Sequence, residues 1–400
     1  MIVSAKSKTI SIGLLVVAEI LALAAWFSSA AVLADMSREA AISPLVRGML
    51  ASGTQAGFAI GAVVFAVLGL SDRFDPRRVF AMSAIAAAAA NAALLVAPIG
   101  GGLAVASRVA TGAFLAGVYP VGMKIAVGWG THDRGLLVGL LVGALTLGSA
   151  APYLLSFISG ADWRGAVAGA SILTAAGGFI ILLTNLGPHH AQARAFSPIA
   201  LRLAWRDRRI RLAYAGYLGH MWELYAMWAW VGAGLAASFA LQLPDGEALA
   251  LSKVTAFAAV AVGAMACVAA GLLADRIGKA ETTIIAMVGS GASALLAALV
   301  FDGPPALMIV VVVIWGAFVI ADSAQFSALV ADVAPTEHTG SLLTLQTALG
   351  FALTVITVQG APLVAGAIGW PGLFVVLAAG PLFGTVAMMQ LRTIMKESSV

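Results

Sequence analysis

Charge is what this chain has least of. Charged residues fill 10% of its 400 positions, where a soluble domain carries about 25%, so most of its surface faces something other than water. Cysteine occurs once, at Cys267, which excludes an intrachain disulfide and leaves the redox compartment unmarked. Catalytic clusters are missing too. There is no H-E-x-x-H element and no intramembrane aspartate pair, so no catalytic residue is expected and the chain is read as not an enzyme. The absence of a Walker loop excludes an ATP-driven pump. The adjacent His189 and His190 have no carboxylate or cysteine beside them and read as a solvated loop. Metal ligands are therefore not expected, nor is any other cofactor.

What the chain does have is oil. Apolar residues make up 61% of it, and the mean hydropathy is +1.01. Apolar stretches recur twelve times, at 10–35, 45–70, 79–98, 102–127, 135–159, 164–185, 211–240, 250–273, 282–300, 306–331, 340–366 and 371–391. Each is about 20 residues or longer, enough to cross a bilayer core. Without water to satisfy the backbone, such spans must be helical, and the Gly, Ala and Ser within them allow close helix approach. The fold class is an all-α integral membrane protein with twelve transmembrane helices. The first span, after Lys6 and Lys8, reads as an uncleaved helix because eleven more follow.

Placing the N-terminus in the cytoplasm puts all but five of the 22 basic residues (Arg38, Arg47, Arg108, Arg164 and Lys253) at cytoplasmic ends and loops. The positive-inside rule expects that bias. The expectation is a multi-pass protein of the inner (plasma) membrane with both termini cytoplasmic. The net charge of +4 then reports topology, and nucleic acid is not expected as a partner. The longest polar interruption, 186–210, separates an N-terminal half, 1–185, from a C-terminal half, 211–400. In this cytoplasmic linker Ser197 and Pro198 can start a short helix lying on the anionic inner leaflet, with Arg202, Arg206 and Arg209 on one face.

The halves repeat each other. Glu19, Ala22, Ala25 and Trp26 recur in step as Glu223, Ala226, Ala229 and Trp230, 204 residues on. Asp72 recurs as Asp275, the triplet Gly112, Ala113, Phe114 as Gly316, Ala317, Phe318, and Trp163 as Trp370. Duplicated six-helix halves of like orientation, related by an axis along the membrane normal, are a known transporter architecture.

The stretch GLLADRIGK at 271–279 resembles the G-x-L-a-D-R-x-G-R/K loop signature of the major facilitator superfamily. Its counterpart around Asp72 departs from that pattern, with Asp75 in place of the glycine. The resemblance covers the whole chain through span count, linker, duplication and both loops. It implies two pseudo-symmetric six-helix halves and a cytoplasmic gate built from Asp72, Arg73, Arg77, Arg78, Asp275, Arg276 and Lys279. The two aspartates would latch the halves while the cavity faces outward. Plain positive-inside topology would explain Arg77 and Arg78 but not repeat-related aspartates.

The resemblance also implies that spans one, four, seven and ten line a central cavity, and each carries an ionisable residue: Glu19, Arg108, Glu223 and Asp322. Glu19 lies ~13 Å into its span at 1.5 Å per residue, near mid-membrane, where a charge costs at least ~2.5–3.5 kcal/mol. His220, Glu223 and Trp230 share one face of span seven, as Glu19 and Trp26 do in span one. The two glutamates are expected to face each other across the pseudo-twofold, carrying protons or touching substrate, with His220 tuning Glu223. A buried Glu223–His220 pair that only fixes packing competes with this. Arg108 opens an R-x-x-x-G element similar to the span-four motif of proton-coupled members, and Tyr119 shares its face. It can pair with Glu19, bind an anionic substrate or bond carbonyls of a neighbouring helix. In span ten, Asp322 and Gln325 are substrate contacts or part of the inner gate. Span five keeps Gly148 and Pro152 but lacks the glycine-proline antiporter motif of drug exporters. The expectation is a proton-coupled secondary active transporter of a small organic solute by alternating access, acting as a monomer in the lipid bilayer. A drug or metabolite efflux antiporter is the alternative.

Overall fold

The computed structural model describes residues 5–130, 133–189, 199–335 and 337–397, with the backbone alone at Ala5, Lys6, Asp72 and Arg134. The linker residues His190, Arg194, Ser197 and Pro198 thus lie outside the described residues. Two compact units are present, Met1–Ala193 and Arg194–Val400, and the described residues are helical with no strand.

In the first unit, α1 (Ala5–Ala22) passes through one 3-10 turn, Leu23–Ala25, before α2 (Ser28–Glu39), so the first span is broken in the middle. Helix α3 (Pro44–Leu68) starts under a Ser43 cap whose hydroxyl accepts from the Val46 N–H, with Pro44 in the first turn. It stops at Gly69, whose φ of 60° closes the helix end. The short α4 (Leu70–Arg73) leads to α5 (Pro76–Ala92), capped by Asp75. The fourth span is also divided, into α6 (Gly102–Leu115) and α7 (Tyr119–Val127). Helices α8 (Arg134–Ile158) and α9 (Trp163–Ile180) complete the unit.

The second unit opens with α10 (Ile199–Arg206), an amphipathic helix that exposes Leu201 and Trp205. Asp207 caps α11 (Arg208–Phe239), and α12 (Asp245–Ile277) and α13 (Lys279–Leu299) follow. The tenth span breaks at Asp322 between α14 (Pro305–Ala321) and α15 (Ser323–Val333). Last comes α16 (Thr339–Glu397), 59 residues long, interrupted at Gly369 (φ 76°) just before Pro371. It therefore holds two spans.

Ten helices among the described residues are long and apolar enough to cross a membrane. Dividing α16 at its kink and adding α11 gives the twelve expected segments. Helix α11 is long enough at 32 residues but less apolar, because His220, Glu223 and a run of Trp and Tyr sit in it. Exposed Val67, Leu183, Leu299 and Phe383 give the outside its apolar character.

Glycine sets the closest helix crossings. At Gly112 in α6 a Cβ would run into the Thr54 carbonyl of α3, and at Gly316 in α14 into the Ala259 carbonyl of α12. The repeated Gly-Ala-Phe triplet is thus one contact, made once in each unit between its second and fourth spans.

Candidate functional site

Each unit buries its own polar cluster. In the first, Arg108 is fully buried, and both terminal nitrogens of its guanidinium are held by neutral partners, while Nε has none among the described residues. Nη2 donates to the carbonyls of Ala25 (2.8 Å) and Trp26 (3.0 Å) and to Thr54 Oγ1 (2.7 Å), while Nη1 donates to Asn91 Oδ1. Asn91 reaches on to Ser171 Oγ (2.9 Å) and the Val167 carbonyl (3.3 Å) and accepts from Ser28 Oγ (2.6 Å). One arginine and one asparagine thereby join spans one, two, three, four and six. The carbonyls of Ala25 and Trp26 lie at the break in span one, where helical bonding lapses, so Arg108 supplies the donors that the helix does not. Of the three roles open to Arg108, bonding a neighbouring helix's carbonyls is the one formed here.

Glu19 stands apart from this network. It is fully buried, and neither carboxyl oxygen has a hydrogen-bond partner among the described residues. Its carboxyl lies against Gly122 of α7, where a Cβ would come within 2.8 Å of Oε2, with Phe80 of α5 beside it. Trp26 is buried and packs on Phe58 at 4.9 Å between ring centroids. Tyr119 is half-buried at the start of α7.

The second unit treats the matching glutamate differently. Glu223 Oε2 accepts from Ser290 Oγ at 2.6 Å and Oε1 from Trp315 Nε1 at 2.8 Å, tying span seven to spans nine and ten. Its neighbour His220 turns elsewhere. Nδ1 of His220 lies 2.8 Å from Asp322 Oδ1, and its ring lies tilted against Phe326 (5.4 Å between centroids) and Tyr217 (6.2 Å). His220 Nε2 has no partner among the described residues. A direct Glu223–His220 pair is therefore not formed. Both residues lie on one face of α11, but tertiary partners occupy each, from span ten for His220 and from spans nine and ten for Glu223. Asp322 sits at the break in span ten and accepts the Gln325 N–H on its carbonyl, and both side chains are buried. Trp230 donates to the Val358 carbonyl at 2.9 Å.

The two loops at the ends of spans two and eight also differ. Asp75 caps α5 through the Arg77 N–H and pairs with the Arg77 guanidinium at 2.7 Å. That guanidinium holds the Asp75 carboxyl below the usual aspartate range. Arg77 donates further to the Thr184 carbonyl. In the second unit the matching residue is Gly278, with φ 102° and no side-chain cap. The departure of the first loop from the family pattern is a change of device, a side-chain cap in place of a left-handed glycine. Arg73, Arg78, Asp275 and Arg276 are exposed, and Lys279 pairs with Asp332 at 2.6 Å. The Asp72 side chain lies outside the described residues.

Thr54, Asn91, Ser290 and Trp315 were not singled out in the sequence. Asn91 had a visible signal, being the one polar residue in an alanine-rich run. Trp315 had a fainter one, standing immediately before the repeated Gly-Ala-Phe triplet.

The sequence matches the model of the Major Facilitator Superfamily over residues 15–358. Among solved structures, the chain is similar to the partially occluded, inward-open conformation of the xylose transporter XylE from E. coli. The TM-score is 0.73 at 11% identity, over 96% of this chain and 99% of that one. It is also similar to a mutant form of the nucleoside transporter NupG, with a TM-score of 0.69 at 14% identity over 95% of this chain and 99% of that one. No curated protein matches it by sequence. At such identities the structural likeness carries the fold alone.

Proposed function

Because the chain belongs to the major facilitator superfamily, we propose that it is a proton-coupled secondary active transporter that moves a small organic solute by alternating access. The observation that carries this reading is Glu19, a buried carboxyl without a hydrogen-bond partner among the described residues. An ionised carboxylate in such a place is costly, by at least ~2.5–3.5 kcal/mol on insertion scales. A group held there suits a cycle in which it takes up a proton and later gives it back to water or solute. Glu223 and the His220–Asp322 pair provide further titratable groups in the other unit, held by neutral donors and by each other. The xylose and nucleoside transporters that share the fold carry small organic solutes, which supports the solute class. The same reading places the protein in the inner membrane as a monomer with both termini cytoplasmic.

Glutamine keeps the shape of glutamate and removes its titration. In Glu19→Gln liposomes, accumulation driven by an imposed pH gradient is expected to vanish while solute counterflow persists. Glu223→Gln should lose accumulation too, and should also lower the thermal midpoint by disturbing the bonds to Ser290 and Trp315. If both variants still concentrate solute at the normal rate, these carboxyls are structural and the proton must be sought at Asp322.

The loop aspartates form the gate part of the proposal. Asp275→Asn is expected to raise labelling of cysteines introduced at the cytoplasmic ends of the helices, as inward-open states gain population. Unchanged labelling would remove Asp275 from the gate.

A further inference from the structure

At one end of the second unit, the start of α13, the end of α15 and the end of α16 enclose a cleft of about 420 Å³. Three cations line it, Lys279, Arg392 and Lys396, against two carboxylates, Glu281 and Asp332. Both carboxylates are taken. Lys279 pairs with Asp332 at 2.6 Å and Lys396 with Glu281 at 3.2 Å. Arg392 is left as the cation with no hydrogen-bond or ion-pair partner among the described residues, so the cleft carries one uncompensated positive charge. Leu329, fully buried, forms part of its apolar wall.

The surface below the cleft fits this charge to a particular kind of ligand. One helical face of α13 runs from Glu281 through Ile285 to Val288, and these two apolar side chains are 47% and 54% exposed. On α16 the face that carries Arg392 continues back through Met389 to Leu382, 46% and 70% exposed. Two exposed apolar stripes therefore lead along α13 and α16 to a cationic cleft on packed helices.

We propose that this cleft seats the phosphate of an anionic phospholipid, with the Arg392 guanidinium as its fork and the acyl chains lying along the α13 and α16 stripes. A planar guanidinium can hold two phosphate oxygens at once. The two ion pairs keep the neighbouring carboxylates neutralised so that the anion is not repelled.

The test is lipid retention, which is independent of whether protons are coupled to transport. Purified protein is equilibrated with mixed phosphatidylglycerol and phosphatidylcholine, and the lipids that stay bound are weighed by native mass spectrometry. Wild type should retain phosphatidylglycerol preferentially. Arg392→Ala should cut that retention about fivefold, the effect of one basic residue at an anionic lipid surface. Lys396→Ala should reduce it as well, because it leaves the Glu281 carboxylate unpaired beside the anion. Should Arg392→Ala fail to fold, Arg392→Lys, with its charge but not its fork, should give a partial loss. Retention unchanged in these variants, or equal retention of phosphatidylcholine, would overturn the proposal. Displacement of the lipid by inorganic phosphate at millimolar concentration would overturn the lipid assignment in favour of a free anion site.

Discussion

Arg108→Ala is expected to destabilise the first unit by about 3–5 kcal/mol, from the buried neutral acceptors that it leaves unpaired. The change strands the Ala25 and Trp26 carbonyls, Thr54 and Asn91 together, and each orphaned buried group costs about 1–3 kcal/mol before relaxation. The break in span one would lose the donors that make it tolerable. In detergent the thermal midpoint should fall by roughly 10 °C, taking the relation for domains of this size. Arg108→Lys should recover only part of it, since an ammonium cannot reach four acceptors spread over a planar fork. A variant that melts like wild type but binds solute weakly would show that Arg108 serves the solute and that the network is incidental.

Gly112→Val and Gly316→Val are expected to yield no folded protein, and alanine at either position should cost at least about 1–3 kcal/mol as overpacking. The added carbon would overlap the Thr54 carbonyl in one unit and the Ala259 carbonyl in the other. Backbone, unlike a side chain, cannot swing aside, so the helices would have to part along their length. Gly360 and Gly366 of α16 supply the control, because nothing lies within 4 Å of a Cβ at either. Alanine there should be neutral or slightly stabilising, through helix propensity. Size-exclusion profiles and thermal midpoints of the four positions settle the matter. A monodisperse Gly112→Val protein with the wild-type midpoint would mean that the two helices have room to spare.

Much of the fold was readable because membrane helices announce themselves by length and composition. Repetition did more: the Gly-Ala-Phe triplets, read only as a mark of duplication, lie at a contact made in both units, and the gap between the apolar stretches 340–366 and 371–391 falls where α16 bends at Gly369. The break in span one was not readable. Leu23, Ala24, Ala25 and Trp26 include no proline or glycine, and the irregular turn is stabilised by an arginine more than 80 residues away. The same limit applies to the clusters. Spacing on α11 correctly put His220 and Glu223 on one face, but a shared face does not make partners. Asp322 reaches His220 from the break in span ten, and Ser290 and Trp315 reach Glu223 from spans nine and ten. Those pairings follow from how helices pack within the unit, which sequence spacing along one helix does not encode. Matching glutamates at 19 and 223 also suggested matching roles, yet Glu223 is bonded twice and Glu19 has no hydrogen-bond partner among the described residues.

The bond from Trp315 to Glu223 gives the protein a fluorophore wired to its own buried carboxyl. Excitation moves electron density across an indole, so gain or loss of negative charge beside the pyrrole N–H displaces the colour of its emission. With the oxygen 2.8 Å from Nε1, the displacement belongs to that carboxyl before any other group. Eight other tryptophans share the spectrum, but subtracting the emission of a Trp315→Phe protein leaves the one that looks at Glu223. The charge state of a residue hidden from solvent can then be followed in real time, by light, in a protein that carries no label.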